Sequence, residues 1–182
     1  MDRNRVEVKF QKKIKQSKKL NNIQLAVCLV KKNPLETIFQ KATELGVNKI
    51  IPLISERTEV KDINYERAKK IVIEATEQSN QLIPPAISKV TKLKNFLESL
   101  DQSTKLLFAD INSKNNLDIK DFKEVKSLCV LIGPEGDFTP KEREIILSKT
   151  NTIPFSLSNN ILRADTATIS AISLINFVLS DH

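Results

Sequence analysis

Along this chain, short apolar runs alternate with stripes of apolar residues at helical spacing. Residues 24–30 form an apolar run bounded by polar positions, which predicts a buried strand. Asn33 and Pro34 predict a helix start, with Asn33 as the cap and Pro34 at the first helical position. Leu35, Ile38, Phe39, Ala42 and Leu45 then recur at helical spacing, and Gly46 ends that helix. Lys49–Ile54 is the next strand. Residues 65–82 read as a long helix with Ala68, Ile71, Val72, Ala75 and Ser79 on one face, stopped by Pro84 and Pro85. The second half repeats the alternation. A helix is predicted over 92–100, a strand over 105–109 and a strongly apolar strand at Ser127–Ile132. Thr139 and Glu142 have the spacing of a capping box, which opens a helix reaching about Lys149. A strand over 152–157 and a very apolar helix over 165–180 complete the chain. Near-continuously apolar strands separated by helices predict an α/β fold: a mostly parallel sheet with helices on both faces.

Composition narrows what such a fold can do. The chain has 182 residues and is 40% hydrophobic, enough for one substantial core. No apolar run reaches the ~18 residues of a membrane span, and no apolar segment follows the Lys/Arg-rich start as in a signal peptide. A cytoplasmic location is therefore expected. Cys28 and Cys129 each sit inside an apolar run and form no CxxC pair, so buried free thiols are expected. The formal net charge is +7, and it is concentrated at one end. Residues 1–20 hold eight Lys/Arg against two Asp/Glu, leaving a surplus of only one for all the rest. Such a leader either follows a phosphate backbone, through Lys12, Lys13, Lys15, Lys18 and Lys19, or is a solvated tail. The single histidine is the last residue, His182. That leaves no Ser-His-Asp triad, Cys-His pair or histidine metal site to build inside the chain, and no metal is expected.

Three segments are candidates for chemistry. Two of the three glycines, Gly133 and Gly136, fall in Ile132-Gly-Pro-Glu-Gly-Asp-Phe138, between the most apolar strand and the capped helix. Ligands of open α/β sheets bind beyond the carboxyl ends of strands, and glycine there lets the backbone approach them. The other reading is a turn that only reverses the chain. The loop fits neither GxGxxG nor GxxxxGK[ST], so dinucleotide and P-loop nucleotide readings lose support. The second segment, 157–167, also follows a strand and opens a helix. It places Arg163 between apolar residues and a helix N-terminus, where a charge needs a partner such as Asp165. The third places Glu74, Glu77 and Gln78 on neighbouring turns of one helix, either as a functional face or as a solvated one.

Taken together, the stretches QKATELGVNKIIPLISERTEV, AKKIVIEATEQSNQ, LIGPEGDFTPKE and LSNNILRADTA resemble one family. They are similar, in order and spacing, to the bacterial small-subunit ribosomal RNA uracil-N(3) methyltransferases, family E, of the SPOUT superfamily. The resemblance runs over residues ~24–180. It implies a C-terminal deep trefoil knot whose loops hold S-adenosylmethionine (SAM), a homodimer with the active site at the subunit interface, and 16S ribosomal RNA in the small subunit as substrate. The cofactor-binding residues it implies are Phe108, Ala109 and Asp110; Ile132, Gly133, Pro134 and Gly136; and Leu157, Ser158, Ile161 and Leu162. It further implies a SPOUT domain over 21–182. The family also carries an N-terminal PUA-like RNA-binding barrel. About 20 residues precede the first strand, so the leader is expected to be at most a remnant of that barrel.

Some positions depart from the family pattern. Asp137 stands where a second glycine is usual, Ser158 and Asn160 replace a glycine and an arginine, Asp165 shortens a glutamate, and Gln81 stands for an arginine. A relative that binds SAM or RNA without methylating is the alternative these departures motivate. The implied chemistry suits a chain without internal histidine. The donor sulfonium is already activated, and uracil N3 must lose a proton, so the protein supplies alignment and stabilisation of a pyrimidine anion. Arg163 is the candidate for that stabilisation; Glu135, Glu77 and Asp165 are candidates for receiving the proton.

Overall fold

The computed structural model describes residues 22–118 and 127–180, together with Lys9, Phe122 and Val125. The leader lysines Lys12, Lys13, Lys15, Lys18 and Lys19 lie outside the described residues, as does His182. The elements run β1 (Ile23–Cys28), α1 (Lys32–Glu44), β2 (Lys49–Ile54), α2 (Tyr65–Gln78), β3 (Ala86–Ile87), β4 (Thr91–Lys92) and α3 (Leu93–Ser99). They continue with β5 (Thr104–Ala109), β6 (Ser127–Ile132), α4 (Pro140–Leu147), β7 (Thr152–Phe155) and α5 (Ala164–Ser180). The strands form one sheet in the order β3-β2-β1-β6-β5-β7, with β4 also paired to β2. Every pairing among the described strands is parallel.

Strand alternation sorts the side chains into two cores. Leu25 and Val27 of β1, Val130 of β6 and Leu107 of β5 point to one face, where α1, α2 and α5 cover them. Ala26, Cys28, Cys129, Leu131, Leu106 and Phe108 point to the other, against Leu93, Phe96 and Leu97 of α3 and Ile146 of α4. Each fully buried Leu, Ile or Phe in these layers contributes roughly 1.5–3 kcal/mol relative to exposure. The last helix is apolar around most of its circumference: Ala171, Ile172, Ile175 and Val178 are buried, while Leu174 is 36% exposed.

Helix ends explain most of the shifts from the sequence expectation. Asn33 is not the cap of α1: the helix starts at Lys32 with Lys31 before it, and no side chain caps it. Pro34 therefore sits in the third helical position, where its missing N–H is one of four that have no partner inside a helix. At the other end, Gly46 has φ +86°, its N–H donates to the Thr43 carbonyl and the Val47 N–H to that of Ala42, a Schellman closure. Helix α2 stops at Gln78, short of the prolines, by the same device. Asn80 takes φ 55°, its N–H donates to Glu77 O and the Gln81 N–H to Thr76 O. Asn tolerates that conformation better than most residues. The two-residue strands β3 and β4 carry too little periodicity to be seen in sequence.

Both cysteines are free and buried, and burial pushes each thiol up to about 12. The thiolate is the reactive form, so at pH 8 neither cysteine reacts with a thiol reagent in the folded protein, whereas both react in denaturant. Counting modified thiols by mass checks this; labelling of native protein at the unfolded rate contradicts it.

Candidate active site

Strands β5, β6 and β7 lie side by side, so the loops leaving their carboxyl ends converge. Between them is a cavity of about 370 Å³, within the usual range for small-molecule sites. Ala109, Asp110 and Ile111 line it from the end of β5; Ile132, Gly133, Pro134, Glu135, Gly136 and Asp137 from the end of β6. Leu157, Ser158, Asn160, Ile161, Leu162, Ala164 and Ala167 line it from the segment after β7 and the start of α5.

The middle loop is held by local chemistry. Thr139 and Glu142 form the expected capping box at the start of α4, each side chain bonded to the other's backbone N–H. Asp137 adopts φ 59°, the left-handed region that glycine favours. Its Oδ1 accepts from the Phe138 N–H at 2.7 Å. An aspartate can thus take this turn because its short polar side chain bonds locally. Gly133 is the tight position. A Cβ built on it meets Phe138 Cε2 at 3.0 Å, whereas one on Gly136 meets only the Arg57 stem at 3.6–3.7 Å.

The outer loops are tied differently. Asp110 is buried, and its carboxylate accepts from Arg143 Nε at 3.0 Å and Nη2 at 2.7 Å, and from the Asn112 N–H at 3.0 Å. The pair anchors the end of β5 to α4, and the bonds to Asp110 raise the Arg143 guanidinium pKa above its ordinary value. Ser158 Oγ accepts from the Asn160 N–H at 3.0 Å, which shapes the last loop. Ile161 in that loop is 84% exposed, so the cavity has an apolar, solvent-facing lip.

Ten of the eleven cofactor residues implied by the resemblance line this cavity, the exception being Phe108. Strand alternation turns its ring to the opposite face, edge-on to Phe138 with ring centroids 5.7 Å apart. Glu135 lines the cavity. Arg163 lies between the lining residues Leu162 and Ala164, is exposed, and has no ion pair among the described residues. The alternative of a structural pair with Asp165 is not seen: exposure to solvent removes the need for a partner, and Asp165 Oδ1 accepts from the Thr166 N–H instead. Glu77 is exposed near the end of α2, which runs back from the carboxyl edge of the sheet, so a single chain does not bring it to the cavity. Gln81 bonds the Thr43 and Glu44 carbonyls at the end of α1, also far from the loops. Arg143 and Arg57 were missed from sequence: Arg57 stands in one of the stretches that carry the family resemblance, but no spacing there gives it a role, and Arg143 stands in no local pattern that marks it.

A parallel α/β sheet with a small-molecule cavity on three converging loops at its carboxyl edge defines a ligand-binding or catalytic α/β domain. The chain belongs to the RNA methyltransferase domain family, whose model matches residues 16–176. It is 36% identical over 183 aligned positions to ribosomal RNA small subunit methyltransferase E of Rickettsia conorii, covering 99% of this chain and 74% of that protein. The enzyme of the same name from Aquifex aeolicus is 36% identical over 151 positions, covering 79% of this chain and 63% of that one. The crystal structure of ribosomal RNA small subunit methyltransferase E from Neisseria gonorrhoeae bound to S-adenosyl methionine superposes with a TM-score of 0.79 at 28% identity. That match covers 86% of this chain and 66% of the other. The chain thus spans about two thirds to three quarters of these relatives.

Proposed function

We propose that this chain is a SAM-dependent methyltransferase that modifies N3 of a uridine in the 16S ribosomal RNA of the small ribosomal subunit. The observation that carries the reading is the cavity, whose three walls are the three segments that the resemblance assigns to the cofactor. The names of the relatives support methylation of small-subunit ribosomal RNA, and the uridine N3 comes from the resemblance. The lining chemistry fits SAM: Ile111, Ile132, Pro134, Leu157 and Leu162 offer apolar surface, and Glu135 and Asp137 offer negative charge to a cationic ligand.

When bound, SAM supplies an already activated methyl group. What remains for the protein is to orient the acceptor and manage its charge. Arg163, exposed beside the cavity, stabilises the negative charge that the pyrimidine acquires as N3 loses its proton. Glu135 is the carboxylate in the cavity wall and the first choice for receiving that proton. Asp165 has one oxygen engaged at the start of α5, and Glu77 can serve only from a second subunit. Asp137 supports an intact cofactor loop, since its conformation supplies what the usual glycine supplies.

The wider reading includes a cytoplasmic enzyme and the family's deep trefoil knot. The path of the chain from β6 over β5 to the edge strand β7, and then into α5, is consistent with that knot. It also includes a homodimer, supported by the apolar circumference of α5. Light scattering at micromolar concentration is expected to give twice the chain mass, and a monomer overturns the dimer.

Transfer of tritiated methyl to purified small subunits from a strain lacking the modification tests the activity. Incorporation at one uridine is expected. SAM binding without transfer returns the alternative of a non-methylating relative. The leader is assigned to the RNA phosphates. Replacing Lys12, Lys13, Lys15, Lys18 and Lys19 by Gln is expected to weaken RNA binding and lower the log–log salt slope by roughly 0.7–0.9 for each phosphate no longer neutralised. A wild-type slope makes the leader a passive tail.

A further inference from the structure

The segment ISERTEV carries part of the family resemblance, yet none of it lines the cavity. It follows β2 and forms a turn that is unusually well fixed. The Ser55 N–H donates to Thr58 Oγ1 at 2.9 Å, and the Thr58 N–H to the Ser55 carbonyl at 3.2 Å. The two hydroxyls are 2.8 Å apart, and both residues are buried. The turn is tied at two points, one to the helix that follows the cofactor loop and one to the loop itself. At one, the Glu56 N–H donates to Glu142 Oε1 at 2.8 Å, and the other Glu142 oxygen caps Thr139, immediately beyond the loop. At the other, Arg57 Nη1 donates to the Gly136 carbonyl at 2.8 Å, and the arginine stem lies 3.6–3.7 Å from where a Gly136 Cβ would stand.

We infer that Arg57 is a positioning residue for the cofactor: the turn after β2 clamps the 133–136 loop from outside the cavity and sets the affinity of the site. The inference rests on the SAM reading above. Arg57 is exposed and contributes little to the core, so its effect runs through the loop it holds. The carbonyl it binds belongs to Gly136, a residue without a side chain to fix it. A charged donor there restrains the loop in one shape before the ligand arrives, which lowers the ordering cost of binding.

Calorimetry with SAM and thermal melting without it, on wild type, Arg57→Ala and Arg57→Lys, test this. Arg57→Ala is expected to raise the SAM Kd roughly fivefold or more, the effect of losing one charge-assisted hydrogen bond. The ligand-free melting temperature stays at the wild-type value, and Arg57→Lys recovers part of the affinity. With ribosomal subunits, the KM for SAM rises while kcat changes little. If wild type binds SAM and Arg57→Ala binds it equally well, the clamp is wrong and the cofactor assignment stands. A melting temperature that falls in step with affinity reduces Arg57 to a general structural role and also overturns the clamp. If wild type does not bind SAM, the functional reading fails and this inference with it.

Discussion

Arg163→Ala is expected to lower methyl transfer roughly 10²–10³-fold, the cost of removing one preorganised donor to a developing anion. The expectation follows from where the arginine sits. It is exposed, has no ion pair among the described residues, and is flanked in sequence by two residues that line the cavity. Such an exposed guanidinium is available to a substrate. Because the side chain is not packed, the melting temperature and SAM affinity remain near wild type. Arg163→Lys is expected to restore only part of the rate, since lysine keeps the charge but not the planar fork. Single-turnover transfer at saturating SAM separates the chemical step from binding. Full turnover by Arg163→Ala rejects the assignment, whatever the outcome for SAM binding.

Gly133→Ala is expected to cost about 1–3 kcal/mol of stability, as overpacking of a filled site does. It is also expected to weaken SAM binding about tenfold, equivalent to ~1.4 kcal/mol. The added Cβ would lie 3.0 and 3.2 Å from two carbons of the Phe138 ring. That ring is 4% exposed and seated against Phe108, so it has little room to give. Relief must come from the loop backbone, which is the cavity wall. Gly136→Ala is the contrast: its Cβ would make ordinary contact with the Arg57 stem, and the fold is expected to tolerate it. Urea unfolding and calorimetry on both variants decide the matter. Equal effects at the two glycines would remove Phe138 as the cause. From sequence both glycines look equally demanding, because the neighbour that distinguishes them becomes apparent only in the fold.

That contrast runs through the whole molecule. Signals confined to a few neighbouring residues were legible. Lys49–Ile54 and Ser127–Ile132 end where their apolar runs end. The Thr139–Glu142 box forms as its spacing implies. The stop of α2 was misplaced because prolines are conspicuous, whereas an asparagine in a left-handed conformation looks like any other asparagine. The cavity walls were legible because each is a contiguous loop following a strand. The ties that hold those walls were not: Arg143 reaches Asp110 across 33 positions, Arg57 reaches Gly136 across 79, and Glu142 reaches Glu56 across 86. Phe108 falls outside the cavity for a related reason: neighbouring residues on a strand face opposite sides, so the last strand residues before a loop need not share the wall that the loop forms.

The sheet order also bears on how the chain is made. Strand β1 lies between β2, which follows it closely, and β6, whose Leu128 pairs with Ile23. The Asn22–Ser127 side-chain bond at that end of the pair closes a span of 105 residues. On a ribosome, β1 and β2 emerge early, and one side of β1 stays open until more than half of the chain has been synthesised. Translation at ~5–20 residues per second leaves that apolar edge uncovered for several seconds. Pairings so distant also slow folding after release. An uncovered edge of this kind attracts other strands, so the nascent chain is most vulnerable to aggregation in that interval and has most to gain there from a chaperone.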